Sequence, residues 1–325
     1  MPCLLKKMTP PGVRLGAARE EKRGMVEKIK LGNTRVTGKE QYYTPPELAD
    51  SIMGRVMSNF DDDSPRTFLE PAGGTGNFVE AAKKYGFRNT ISFDIEPKHK
   101  DVAPGDFLHQ NLDLTGAVCI TNPPFGRNNS LSIPFFNKAA QHSEIIAFIV
   151  PRSWRKWSVL NRLDLAFELI DDWDLSIDYV DDQGNFTHGA GNLRTCVQVW
   201  KRKEGFTRNL VKVEDLGFVE KTSPEEADVS FTLFGYGCGT VKTEFDRKRN
   251  STQTFFRLLR PDTLKALQSV DFSKFYRHTS YIEALSMVEI NYLLNEYVGE
   301  KSFDYSSVPG ELDYLGLQYR EKAVS

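Results

Sequence analysis

The sequence predicts an α/β fold: a mostly parallel sheet with helices on both faces, an antiparallel edge hairpin, and a smaller C-terminal unit. Three observations carry this reading. Strand-like and helix-like segments alternate from Thr67 to about Arg202, the pattern that builds a parallel sheet covered by helices. The last two strand candidates have only a loop between them and so read as a hairpin. Beyond Arg202 the alternation stops.

In chain order, residues 1–38 are rich in Lys and Arg, poor in acids and without hydrophobic period. They read as a flexible basic arm, with a phosphate-gripping arm as the alternative. Residues 39–202 form the α/β domain. Its strand candidates are Thr67–Leu69, Thr90–Phe93, Ala117–Ile120, Ile145–Val150, Leu175–Val180 and Cys196–Trp200; its helix candidates are Asn77–Tyr85, Ile133–His142 and Val159–Ile170. Upstream, Thr44-Pro45-Pro46-Glu47 is a helix start, with an N-cap, a proline at N1 and an acid at N3. Residues 203–325 form the second unit, an accessory or target-recognition region. There short strand-like runs give way to helical spacing over 282–298.

Composition narrows the function classes. The chain has 325 residues, 40% hydrophobic and 26% charged, with a net charge of −2. That balance fits a globular protein and neither requires nor excludes a nucleic-acid partner, for which a local basic face matters. No apolar run is long enough to span a membrane and the N-terminus has no apolar signal core, so a cytoplasmic location is expected. The four cysteines are scattered without a CxxC. This predicts neither a metal site nor a disulfide framework.

The chemistry sits at successive strand ends. Asn122-Pro123-Pro124-Phe125 closes the Ala117–Ile120 run, and two prolines stop the strand. Pro123 biases Asn122 toward an extended backbone, which presents its carboxamide at the carboxyl end of the strand. That amide can accept hydrogen bonds from an exocyclic NH2 while Phe125 stacks on a flat ring. The first strand ends in Glu70-Pro71-Ala72-Gly73-Gly74-Thr75-Gly76. Its glycines let backbone approach a ligand, the absence of GK[ST] excludes a P-loop, and Glu70 suits an ammonium or hydroxyls. The second strand ends in Asp94-Ile95-Glu96, where nucleotide-binding sheets keep a carboxylate for ribose hydroxyls. In Gly105-Asp106-Phe107, Asp106 is placed to accept an adenine amino group and Phe107 to stack on its ring.

Together these motifs resemble the S-adenosylmethionine-dependent amino methyltransferases that modify exocyclic nitrogen in nucleic acid. The likeness covers about residues 39–202 and is greatest to the gamma arrangement of DNA adenine-N6 methyltransferases, with Gln41-Tyr42-Tyr43-Thr44-Pro45-Pro46 as the opening motif. The resemblance implies a Rossmann-like class I methyltransferase sheet and S-adenosylmethionine as cofactor. Tyr43 and Thr44 would cover its methionine end; Glu70, Ala72, Gly73 and Gly76 would shape its pocket. Asp94 with Ile95 would hold its ribose, and Asp106 and Phe107 its adenine. Asn122, Pro123, Pro124 and Phe125 would grip the target base. The Gly-Gly-Thr-Gly turn departs from the commoner small-polar forms.

Further substrate contacts are expected at Phe186, beyond the flipped base, and at Arg152 and Trp154, where a basic aromatic cluster follows the fifth strand. The resulting expectation is methyl transfer to adenine N6 in DNA. Alternatives are the same reaction on RNA, a protein glutamine acceptor, disfavoured because that family usually has tyrosine at the position of Phe125, and a noncatalytic nucleic-acid binder.

Overall fold

The computed structural model describes residues 42–58, 60, 66–177, 179–180, 183 and 193–299. The described residues belong to one compact unit. The basic arm and Phe186 lie outside the described residues.

Seven strands form the main sheet: β1 (Thr67–Glu70), β2 (Asn89–Asp94), β3 (Ala103–Pro104), β4 (Ala117–Thr121), β5 (Ser143–Pro151), β6 (Phe167–Leu175) and β7 (Thr195–Arg202). Their spatial order is β3-β2-β1-β4-β5-β7-β6. Pairing is parallel from β3 through β5, and β7 runs antiparallel between β5 and β6. This is the Rossmann-like sheet order of class I methyltransferases. The order reverses between β1 and β4, so a crevice opens there beyond the carboxyl ends of the strands.

Side-chain alternation explains the layers. Val118 and Ile120 of β4 join an apolar cluster with Ile52, Met53 and Val56 of α1 (Pro46–Met57) and Phe78, Val79 and Ala82 of α2 (Asn77–Lys84). Ala117 and Cys119 of the same strand face the other cluster, which includes Ile133, Phe136 and Ala139 of α3 (Ser132–Ala140). There Phe136 is ringed by Phe148, Trp154, Phe167 and Trp200, with centroids 5.6–5.9 Å away and rings edge-on. Each such pair contributes about 0.5–1.5 kcal/mol beyond burial.

Two predicted elements are corrected. The Val159–Ile170 helix is instead the short helix α4 (Trp157–Leu160), a turn, and the start of β6. Phe167 and Leu169 are buried while Glu168 between them is less so, the two-residue period of a strand. The hairpin therefore pairs β6 with β7 in a register where Trp173 faces Val197; Leu175 is the last residue of β6, and among the described residues beyond it the expected strand is reduced to one bridge, Val180 to Tyr43. Helix α1 also starts one residue later than expected, with Pro46 at N1 and no side-chain cap.

The C-terminal region carries a second, antiparallel sheet of β8 (Val219–Lys221), β9 (Val229–Thr232), β10 (Val241–Lys242) and β11 (Gln253–Leu258), ordered β10-β9-β11-β8. It is followed by α5 (Thr263–Ser269), α6 (Ser273–Tyr276) and α7 (Met287–Tyr297). Ser286 caps α7 in a capping box with Glu289. Phe231, Phe256, Phe275 and Tyr292 join the cluster around Phe136, so the C-terminal elements share a core with one face of the main sheet. Among the described residues no helix is long and apolar enough to cross a membrane. Cys119, Cys196 and Cys238 are unbridged.

Candidate active site

The crevice is built from the ends of β1, β2 and β4. Glu70 ends β1 almost wholly buried, 1% exposed. Thr121, the last residue of β4, donates its hydroxyl to Glu70 Oε1, and the Ala72 amide donates to the same oxygen at 3.1 Å. Glu70 Oε2 is buried and accepts no hydrogen bond among the described residues. Burial pushes the carboxyl up from 4.5 to about 8; the Thr121 and Ala72 donors oppose this and the Asp94 charge adds to it. A buried carboxyl with one oxygen unserved is primed for a cationic or hydroxyl-bearing ligand.

The glycine turn is tight. Gly73 donates to the Phe93 carbonyl at 2.9 Å, which pins the turn to β2. A Cβ at Gly73 would stand 2.2 Å from Ser92 Oγ and 2.9 Å from Val102, so no side chain fits. Gly76, φ 79°, takes a left-handed backbone that opens α2. Asp94 braces the turn: its Oδ2 accepts from the Gly74 amide and its Oδ1 from the Glu96 amide, both at 2.8 Å. Tyr43 lies over Gly74, where an added Cβ would be 2.5 Å from its ring. Asn77 of α2 donates to the Thr44 carbonyl at 2.8 Å, which fixes the opening segment over the turn. Thr44 is buried with its hydroxyl unserved.

Asn122 follows directly on Thr121. Its Nδ2 donates to the Tyr42 carbonyl at 2.9 Å. A carbonyl can only accept, so this contact orients the amide and turns Oδ1 away from it. No described residue donates to Asn122 Oδ1 or to the Pro123 carbonyl. Two acceptors at the end of β4, across the strand-order reversal from Glu70, are thus without a donor among the described residues, Asn122 being half-buried and Pro123 buried.

The remaining predicted residues divide. Gly105 donates to the Asp94 carbonyl at 2.9 Å and brings Asp106 beside the β2 end. Asp106 caps a 3-10 turn through the Leu108 amide at 3.0 Å and contacts His109 Nδ1 at 2.8 Å. Ile95 is exposed next to Asp94. Phe107, expected to stack on a ligand ring, is 1% exposed and packs on Phe135 at 5.5 Å, so its ring belongs to the core. Phe125 likewise shows no open ring face at 3% exposed. Trp154 is a correction: it is fully buried against Phe136 and Phe148, with its indole N–H on Ser132 Oγ at 3.2 Å. It cannot reach substrate. Arg152 is partly buried and paired with Asp174 at 2.9 Å.

Sequence reading missed several partners. Thr121 and the Tyr42 carbonyl orient Glu70 and Asn122. A threonine ending an apolar strand was the available signal for the first; nothing marked the second. Arg155, held by Asp172 and Asp174, and Lys156, which meets both Glu289 oxygens at 2.9 Å, anchor the loop after β5. Arg247 donates to three carbonyls of 224–227 and is a loop anchor. Glu80, His99 and Asp101 bring ligand atoms within 4.8 Å of one another. The Lys83 ammonium, 2.6 Å from both carboxylates, supplies the positive charge there.

No protein-family model and no curated protein matches the chain. Among solved structures it is similar to a candidate RNA methyltransferase from Pyrococcus horikoshii, with 19% identity, a TM-score of 0.40, and coverage of 50% of this chain and 88% of that one. It is similar to a candidate class I S-adenosylmethionine-dependent methyltransferase from Listeria monocytogenes, with 13% identity, a TM-score of 0.38, and coverage of 51% and 62%. It is also similar to the methyltransferase subunit of a type I restriction-modification system from Streptococcus thermophilus, with 14% identity, a TM-score of 0.38, and coverage of 79% and 58%. The sheet order, read from the chain itself, defines the fold independently of these likenesses.

Proposed function

We propose that this chain transfers a methyl group from S-adenosylmethionine to the N6 amino group of adenine in DNA. The observation that carries the reading is the pair of acceptors without a described donor, Asn122 Oδ1 and the Pro123 carbonyl, at the end of β4. An exocyclic NH2 has two N–H bonds to give and matches them.

The crevice fits the cofactor on its own chemistry. The unserved Glu70 Oε2 suits an ammonium, and the turn at Gly73 has room for backbone but not for a side chain. Asp94 and Asp106 each retain carboxylate lone pairs, for ribose hydroxyls and for the cofactor's adenine amino group. When bound, the cofactor supplies an electrophilic sulfonium methyl. Tyr43, Thr44, Ala72, Gly76 and Ile95 are assigned to the same crevice.

The residues around Asn122 act by positioning. The adenine N6 lone pair is delocalised into the ring and is a poor nucleophile. Accepting both N–H bonds draws the nitrogen toward tetrahedral geometry and frees its lone pair for attack. No general base is needed, because the nitrogen becomes acidic once alkylated. A base in a duplex must be flipped out to reach these acceptors. Phe125 and Phe186 are assigned to flank the base, and the Phe125 ring must be uncovered for that to happen. Arg152 is assigned to the phosphate side, released from Asp174 on binding.

Residues 203–325 are assigned to target recognition. Within the described part, Tyr236 is fully exposed on a loop between two left-handed glycines, Gly235 and Gly237. An aromatic ring presented this way suits stacking on bases. The loop is backed by the 283–285 segment, through the Gly235 amide to the Glu283 carbonyl at 2.8 Å.

Asn122→Ala tests the assignment. Methyl transfer should fall by at least about a hundredfold while cofactor affinity stays within about threefold. Parallel loss of both would make Asn122 a structural residue and remove the basis of the proposal.

A further inference from the structure

The turn that follows the Asn122–Phe125 segment has an unusual backbone. Asn128 and Asn129 are the two non-glycine residues with positive φ among the described residues, at 53° and 61°. They are consecutive and are separated by Arg127 from Gly126, φ 66°. Left-handed backbone costs an L-residue about 1–2 kcal/mol, and asparagine is among the residues that tolerate it best. Strain of this kind persists where surrounding contacts over-determine it, often beside a functional site.

Those contacts are visible. The Phe125 carbonyl accepts from the Leu131 and Ser132 amides at 3.2 and 3.4 Å, which closes the turn on itself. Asn129, unlike Asn128, is buried at 7% exposed, and its Nδ2 reaches Ser153 Oγ at 3.4 Å. Trp154 Nε1 donates to Ser132 Oγ at 3.2 Å. The turn after β4 is therefore tied twice to the loop after β5. That loop is tied in turn to the C-terminal region. Ser280 donates its hydroxyl to Ser153 Oγ at 3.2 Å, and Lys156 pairs with Glu289 at the start of α7. Ser280 is itself held by backbone, its carbonyl accepting from the Arg194 amide at 2.7 Å, just before β7.

We propose that Asn129 is a positioning residue for the methyl acceptor. Its side chain fixes the left-handed turn behind Asn122 and links it, through Ser153, to Ser280 of the C-terminal region. The docking of that region then sets the aim of Asn122. This rests on the functional reading above, and it adds a link from target recognition to the catalytic amide.

The experiment compares Asn129→Ala, Asn129→Gly, Asn129→Asp and Ser280→Ala with wild type in single-turnover methyl transfer to DNA. Thermal melting and cofactor affinity are measured beside it. If the side-chain tie matters, Ala and Gly both lower kcat by on the order of tenfold to a hundredfold, while KM for DNA changes less than about threefold. Asp, which tolerates the left-handed turn and can accept from Ser153, restores most of the rate. Ser280→Ala acts in the same direction.

A glycine variant as active as wild type overturns the proposal, because then only the backbone conformation counts. So does a lowered melting temperature with kcat unchanged. Amide hydrogen exchange over 126–132 gives a readout that needs no activity. It should speed up in Asn129→Ala and in Ser280→Ala, and unchanged exchange in both refutes the link. If wild type transfers no methyl group to any polymer, the functional reading fails and the positioning role with it, and the exchange result still decides the link from Asn129 through Ser153 to Ser280.

Discussion

Glu70 supplies the most quantitative test. Its carboxyl is wholly buried, bound through one oxygen to Thr121 and Ala72, and pushed from 4.5 up to about 8 by burial. The unfolded chain releases this proton above 4.5, while the folded, ligand-free protein keeps it until about 8. Glu70 therefore lowers stability progressively as pH rises between those values, and by a constant amount above. At 1.36 kcal/mol per pH unit, the penalty is about 3 kcal/mol at pH 7 and about 5 kcal/mol above pH 8. Glu70→Gln removes that slope. The gain at pH 7 is about 1–2 kcal/mol, because the new NH2 is left without a partner in place of Oε2. Binding of an ammonium-bearing cofactor should draw the proton off. Affinity then rises about tenfold per pH unit between pH 6 and 7.5, below the titration of the cofactor's own amino group. Calorimetry at pH 6.5 in two buffers of different ionisation heat should show about one proton released by wild type and none by Glu70→Gln. Affinity independent of pH, with no proton released by wild type, refutes the reasoning: the carboxylate would already be ionised in the free protein.

Two further outcomes follow from packing. In Gly73→Ala the new Cβ meets Ser92 Oγ and Val102 on the neighbouring segments. The turn must shift, and cofactor affinity measured by calorimetry should fall by at least about tenfold, consistent with an overpacking cost of about 1–3 kcal/mol. Trp154→Ala removes one of the rings packed around Phe136 and leaves a cavity beside it. Chemical denaturation should show a loss of about 3–5 kcal/mol. A variant that keeps its stability but loses DNA affinity would return Trp154 to the substrate side.

Much of the sheet was legible because its strands are short apolar runs separated by strong punctuation. The Glu70-to-Gly76 turn and Asn122-Pro123-Pro124 mark the ends of β1 and β4, and those ends are where the crevice opens. What failed was the region from Val159 to Val180. Its apolar spacing fits a helix, yet β6 is fixed by pairing with β7, a contact about 25 residues away that local periodicity does not register. Trp154 misled for a related reason. A basic aromatic cluster after a strand looks like a nucleic-acid surface, but the indole turns inward while Arg155 is taken up by Asp172 and Asp174. The left-handed pair Asn128-Asn129 was also silent, since Gly126-Arg127-Asn128-Asn129 reads as an ordinary loop. The Asn122 side chain was placed correctly at a strand end, but what orients it, the Tyr42 carbonyl, is 80 residues away in sequence.

The central claim is tested most directly by identifying the methylated product. The protein is incubated with labelled S-adenosylmethionine and, separately, with DNA, RNA or protein, and each polymer is digested and resolved. The account predicts label in N6-methyl-2′-deoxyadenosine from DNA, lost in Asn122→Ala. Label confined to RNA adenosine would contradict the choice of polymer. Label on a glutamine amide, or on no polymer at all, would contradict the claim that Asn122 and the Pro123 carbonyl grip an adenine.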